Sequence, residues 1–150
     1  MGQTNREDIA REFMTSVWSI HNNVLRKQKL PLPLNQFVIL MDLFSEPDPM
    51  TIHELSESLQ IKKQQMTVII SRLETAGCIS RTPKDSDRRY SEIKLTEKGI
   101  AVIKDYLSGM YTWFLQELDR LKPEHQQLLS DSFHQFNHSL DLLTTKDKEL

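Results

Sequence analysis

The sequence predicts a mainly α-helical protein carrying one small β-hairpin, and three observations lead there. Apolar residues recur at three- and four-residue spacing over long stretches at both ends of the chain. Two alternating stretches, "CISRT" and "SEIKLT", flank a polar segment in the second half. Only four glycines and six prolines interrupt 150 residues, of which 38% are apolar and 27% charged. A chain of this length buries roughly two thirds of its unfolded surface in one core, so it folds without disulfide or metal staples.

From Ile9 to Lys27, Ile9, Phe13, Val17, Ile20 and Val24 form one stripe that Met14, Trp18, His21 and Leu25 widen to about half the helix. A helix this apolar should touch two surfaces. "LPLPL", residues 30 to 34, ends it, because neither proline can continue a helix. A second helix is expected over "NQFVILMDLF" from Asn35, stopping before "SEPDP". In "TIHELSESL", Thr51 and Glu54 have capping-box spacing, while Ile52, Leu55 and Leu59 mark a buried face. A turn without glycine around Gln60 to Lys62 leads to a helix from about Lys63 to Ala76, which Gly77 terminates. Two short helices joined by a tight turn read as a helix-turn-helix. The hairpin that follows, with a polar tip from Pro83 to Tyr90, makes it a winged helix-turn-helix.

Two more helices close the chain. Ile103, Leu107, Met110, Phe114, Leu118 and Leu121 form a seam within residues 100 to 121, widened by Val102, Tyr106 and Trp113. After Pro123, suited to a first helical position, Leu129, Phe133, Phe136, Leu140 and Leu143 are spaced alternately four and three. Two-sided helices at both ends of a short chain imply association with a second copy. The expected organisation is a single compact domain, with a winged helix-turn-helix at 34–96 and a helical dimerisation region from 1–33 and 97–150.

Cys78, the single cysteine, has no internal partner, which favours the reducing cytoplasm. The polar start "MGQTNREDIAREF" lacks the apolar run of a secretory signal, and Arg6 stands where a myristoylation pattern requires Ser or Thr. No membrane partner is expected.

The formal net charge of -2 hides an asymmetry. Residues 62 to 94 hold eight bases (Lys62, Lys63, Arg72, Arg81, Lys84, Arg88, Arg89, Lys94) and four acids, while the remainder holds eleven bases and seventeen acids. A basic element on an acidic body suits contact with nucleic acid, because it neutralises phosphates locally while the body limits indiscriminate binding. An unevenly charged solvated surface is the plainer explanation of the charge count alone.

Residue types sharpen the choice. On the helix after Lys62, Met66, Ile69, Ile70 and Leu73 point inward, leaving Gln64, Val68, Ser71 and Arg72 outward with Gln65 and Thr67 beside them. Glutamine can bond adenine in a bidentate manner, Thr67 offers a hydroxyl or a methyl, and Val68 can meet a thymine methyl. Lys62 and Lys63 stand where a docked helix meets phosphates or guanine edges. On the wing, Arg88 and Arg89 can reach a minor groove, whose narrow A·T-rich stretches attract arginine. Asp87 can hold a guanidinium in one pose. The candidate DNA-binding set is therefore Lys62, Lys63, Gln64, Gln65, Thr67, Val68, Ser71, Arg72, Lys84, Arg88 and Arg89, with Asp87 orienting the wing.

"DSDRRYSEIKLTEKG" resembles the wing of the multiple antibiotic resistance regulator (MarR) family, with Asp87, Arg89, Ile93, Leu95, Thr96 and Gly99 on the pattern. "ISRLETAGCISR" is similar to the end of the family's recognition helix and its first wing strand, and the order of elements agrees over essentially the whole chain. The resemblance implies a bacterial or archaeal homodimer that binds a palindromic double-stranded operator, usually as a repressor. It often implies release by a small lipophilic or phenolic ligand. It assigns Arg89 to the minor groove, Asp87 as its partner and Arg88 to phosphate. Lys62 stands where the family often has a serine cap, and Val68 where it often has a base, so the operator sequence is not read by analogy.

Other readings are weaker. Cys78 in "AGCIS" fits a buried thiol better than a sensor. His134 and His138, with His125 nearby, lack a cysteine or carboxylate partner for a metal. Trp18, His21 and Trp113 are candidates for an effector pocket or for dimer packing. Neither a phosphate-binding glycine loop nor a nucleophile motif is present, so no enzyme and no cofactor is expected. The alternative to DNA binding is a winged helix serving as a protein-interaction module.

Overall fold

The computed structural model of the chain describes residues 5–84 and 87–144, with the side chains of residues 84, 87–90 and 144 outside the described set. By internal packing the chain divides after Leu107 into two units.

In the first unit, helix α1 spans Arg6–Asn23 and is followed by a single 3-10 turn at Leu25–Lys27, where one continuous helix to Lys27 was expected. Val24 is the C-cap of α1, its N–H still bonded to Ile20 O while its φ has moved to -114°, and the 3-10 turn follows directly. Helix α2 covers Leu34–Ser45 and buries Phe37, Ile39, Leu40 and Leu43. Helix α3, Ile52–Ser58, starts at the expected capping box: Glu54 N–H donates to Thr51 Oγ1 at 3.2 Å and Thr51 N–H donates to Glu54 Oε2 at 2.6 Å. The turn into helix α4, Lys63–Thr75, works without glycine because Gln60 itself adopts the left-handed region at φ 51°. Gly77, at φ 72°, ends α4 as expected.

Strands β2 (Ile79–Lys84) and β3 (Asp87–Leu95) form the antiparallel hairpin, with an irregularity between Pro83 and Lys84. Much of the stretch expected as an open tip is therefore strand. The short strand β1, Met50–Thr51, adds to the other edge of β3 with Met50 opposite Ile93, giving the order β1-β3-β2. Two residues carry no periodicity, so β1 left no trace in the sequence.

Helix α5 runs Glu97–Leu118. Its first half seals the core of the first unit, where Ile103 is fully buried with Leu55, Met66, Ile70, Leu73 and Ile93, and Tyr106 meets Phe37 edge-on at 4.7 Å between ring centroids. The turn that joins α4, β2 and α5 is closely held. Thr96 Oγ1 donates to Gly77 O at 2.6 Å, Thr96 N–H donates to Cys78 O at 3.0 Å, and Lys98 Nζ donates to Ala76 O at 2.6 Å.

The second unit comprises the rest of α5 and helix α6, Pro123–Thr144, which begins at the proline as expected. Gln126 Nε2 donates to Leu118 O and Leu121 O, closing the connection, and Phe114 packs against Phe133 with ring centroids 6.2 Å apart. Among the described residues, no helix is long and apolar enough to cross a membrane.

Candidate nucleic-acid interface

Helix α4 is amphipathic in the expected phase. Met66, Ile69, Ile70 and Leu73 are buried, which orients the helix and turns Gln64, Gln65, Thr67, Val68, Ser71 and Arg72 to the exposed side. Lys62 and Lys63 are exposed at its start. The Lys62 side chain caps nothing, so the N–H groups of the first turn are left to an acceptor from outside the helix.

Hydroxyls along this face are committed to the preceding turn. Thr67 Oγ1 donates to Lys63 O at 2.9 Å, Ser71 Oγ to Thr67 O at 3.0 Å and Thr75 Oγ1 to Ser71 O at 2.9 Å. Thr67 therefore offers a methyl and an acceptor rather than a donor. Val68 beside it is 52% exposed. The middle of the reading face is thus a small apolar step, flanked by the amides of Gln64 and Gln65 and by Arg72.

Two residues outside the expected set belong to this surface. Asn35, from the start of α2, joins Ile61, Gln64, Gln65, Val68 and Arg72 around an open groove of about 580 Å³. Arg81 of β2 reaches back to α4, with Nη2 donating to Ser71 Oγ at 3.1 Å and Nε 2.9 Å from Glu74 Oε2. Periodicity could not have shown either contact, because each joins elements whose relative placement is a tertiary property. Opposite charges at 74 and 81 were the sole hint.

On the wing, the backbone of Lys84 ends β2 opposite Asp87, and Arg88 and Arg89 follow on β3. The side chains of Lys84, Asp87, Arg88 and Arg89 lie outside the described residues, and so does the expected Asp87–Arg89 pairing.

The other candidates separate. Trp18 and His21 stack on α1 in the first unit at 6.1 Å, both exposed. Trp113 belongs to the second unit and tilts against Phe114 at 6.2 Å. Cys78 is buried, with Sγ 4.0 Å from Ala76 O. His134 and His138 are exposed, and among the described residues no three His, Cys, Asp or Glu side chains gather as metal ligands.

Comparison with known proteins agrees with this geometry. The MarR family model matches residues 32–90, the segment from α2 through the start of β3. The HTH-type transcriptional regulator YfiV of Bacillus subtilis is 21% identical over 144 residues, which are 90% of this chain and 89% of that protein. The transcriptional regulator Tm0710 of Thermotoga maritima superposes with a TM-score of 0.71 at 27% identity, covering 93% of this chain and 96% of its own. A mutant of Staphylococcus aureus MepR bound to an oligodeoxyribonucleotide has the same fold, with a TM-score of 0.63 at 19% identity over 92% of this chain and 99% of its own.

Proposed function

We propose that this chain, similar to the MarR family over residues 32–90, is a transcription regulator that works as a homodimeric repressor on a palindromic operator. The observation that carries this reading is the exposed outer face of α4, where Lys63, Gln64, Gln65, Val68 and Arg72 stand together, with the two-stranded wing following in the chain. A helix of that chemistry enters a major groove while Arg89 of the wing enters the adjacent minor groove, and Lys62, Lys84 and Arg88 meet phosphate. Val68 with the Thr67 methyl reads a thymine methyl, since the Thr67 hydroxyl proton is already bonded to Lys63 O.

Dimerisation is supported by two helices that leave most of their apolar side chains exposed. No described residue of α1 or α6 is buried, although α1 carries Ile9, Phe13, Val17 and Ile20 and α6 carries Phe133, Phe136 and Leu143. Apolar faces of this extent exceed scattered surface residues and need a cover. The dimer region of this proposal is residues 1–33 and 97–150, on either side in sequence of the DNA-reading part at 34–96. A two-fold dimer presents its recognition helices to half-sites about one helical turn apart, and occupancy of such a site excludes other proteins from it. Release by a small lipophilic or phenolic ligand, with Trp18, His21 and Trp113 as its candidates, belongs to the same reading. So does a cytoplasmic location.

Selection of bound duplexes from a random DNA pool, followed by titration of the winner at two salt concentrations, tests the proposal. The expected result is an enriched palindrome whose log affinity falls against log salt with a slope of about -0.9 per phosphate neutralised. Absence of enrichment, with binding only at low salt, would refute it in favour of a protein-interaction module.

A further inference from the structure

Arg81 sits where β2 leaves the core. Ile79, two residues earlier on the same face of β2, is buried, and Pro83, two residues later, is exposed. At Arg81, whose side chain is only 25% exposed, the guanidinium crosses to α4 and touches two residues about one turn apart, Ser71 and Glu74. Ser71 is itself held, its proton on Thr67 O, so its free lone pairs turn toward Arg81. Nε lies close to Glu74 Oε2 without alignment for a hydrogen bond. A pair serving stability alone would gain most from a bidentate fork on one carboxylate. Here the fork is shared between two points on α4, which fixes a direction as well as a distance.

Glu92, opposite Thr82, is the last residue of β3 that pairs with β1, and toward the turn β2 and β3 pair with each other, with Arg88 and Arg89 in that part of β3. A two-stranded ribbon is marginally ordered by itself, and ordering it during binding lowers affinity. We infer that Arg81 is a positioning residue, which locks the wing to the recognition helix through Ser71 and Glu74 so that both grooves of DNA are met by one rigid piece. The inference rests on the DNA-binding reading above and adds to it a residue that need not touch DNA.

The test is a set of double-variant cycles on the selected duplex. Arg89→Ala in the otherwise unaltered protein is expected to weaken binding by about 5- to 150-fold. In an Arg81→Ala or a Glu74→Gln background the same Arg89→Ala change should cost less, by a factor of about three or more, because a loosened wing no longer delivers Arg89. Arg81→Lys, which keeps the charge and loses the fork, should behave like Arg81→Ala. An undiminished Arg89 penalty in both backgrounds overturns the inference. So does full retention of affinity by Arg81→Lys, which marks a plain phosphate contact. Thermal melts verify that each variant folds, and Glu74→Gln, which leaves Arg81 in place, carries the test if Arg81→Ala does not. Failure of the underlying reading is seen separately: no duplex is selected, or Arg89→Ala alone is harmless, before any Arg81 variant is made.

Discussion

Replacing Gly99 with alanine puts a methyl group 2.1 Å from Cys78 O, 3.0 Å from the carbon of that carbonyl and 3.2 Å from Leu95 Cδ2. A carbon and a carbonyl oxygen need about 3.3 Å, so the start of α5 must recede from the Gly77–Cys78 turn by about 1 Å. That turn cannot yield freely, because Thr96 bonds both Gly77 O and Cys78 O, Lys98 bonds Ala76 O, and Gly99 N–H itself donates to Thr96 Oγ1 at 3.1 Å. Stretching the three of these bonds that reach Ala76, Gly77 and Cys78 costs about 3 kcal/mol at roughly 1 kcal/mol each. Alanine returns about 1 kcal/mol through helix propensity. The net is a destabilisation of about 2 kcal/mol, within the range for overpacking. For a chain of this length it lowers the melting temperature by about 4 to 8 °C. Far-ultraviolet circular dichroism melts at one fixed protein concentration measure it, since the proposed dimerisation would make the midpoint depend on concentration. The same helix supplies a control: a methyl added at Gly109 meets nothing within 4 Å. Gly109→Ala should therefore stabilise by about 0.5 to 1 kcal/mol. Opposite signs at the two glycines are expected, and stabilisation at both would refute the close-approach reasoning.

Replacing thymine by deoxyuridine at the base met by Val68 removes one methyl and should weaken binding about fourfold per contact, from about 0.8 kcal/mol per buried carbon. With Val68→Ala the two duplexes should bind nearly alike, and equal binding by the unaltered protein would exclude methyl readout. Sedimentation should find a dimer of twice 17.6 kDa. Phe13→Asp, at an exposed position of α1, should dissociate the dimer by about 3 kcal/mol or more through an unpaired charge at the interface while leaving the monomer folded. A dimer indifferent to that charge would move the interface off α1.

Legibility in the sequence followed the range of the interaction. The capping box at Thr51 and Glu54, the stop at Gly77, the first residue of α6 at Pro123 and the inward phase of Met66, Ile69, Ile70 and Leu73 are all set within a turn or two of chain, and each appears in the structure. The missing glycine before α4 was legible as an anomaly, and the structure resolves it with Gln60 in a left-handed conformation.

By itself the sequence determined the type and order of the helices, the hairpin, the basic segment from Lys62 to Lys94 and the exposed side of α4, because hydrophobic periodicity, capping and charge are local properties of a chain. Tertiary structure alone decided that Met50 and Thr51 pair with β3 and that Asn35 borders the groove beside α4. It alone decided that Arg81 spans from the wing to Ser71 and Glu74, and that Gly99 is required by the carbonyl of Cys78, twenty-one residues away. Each of these joins segments distant along the chain, and their distances are fixed only when the common core around Leu55, Ile70 and Ile93 closes.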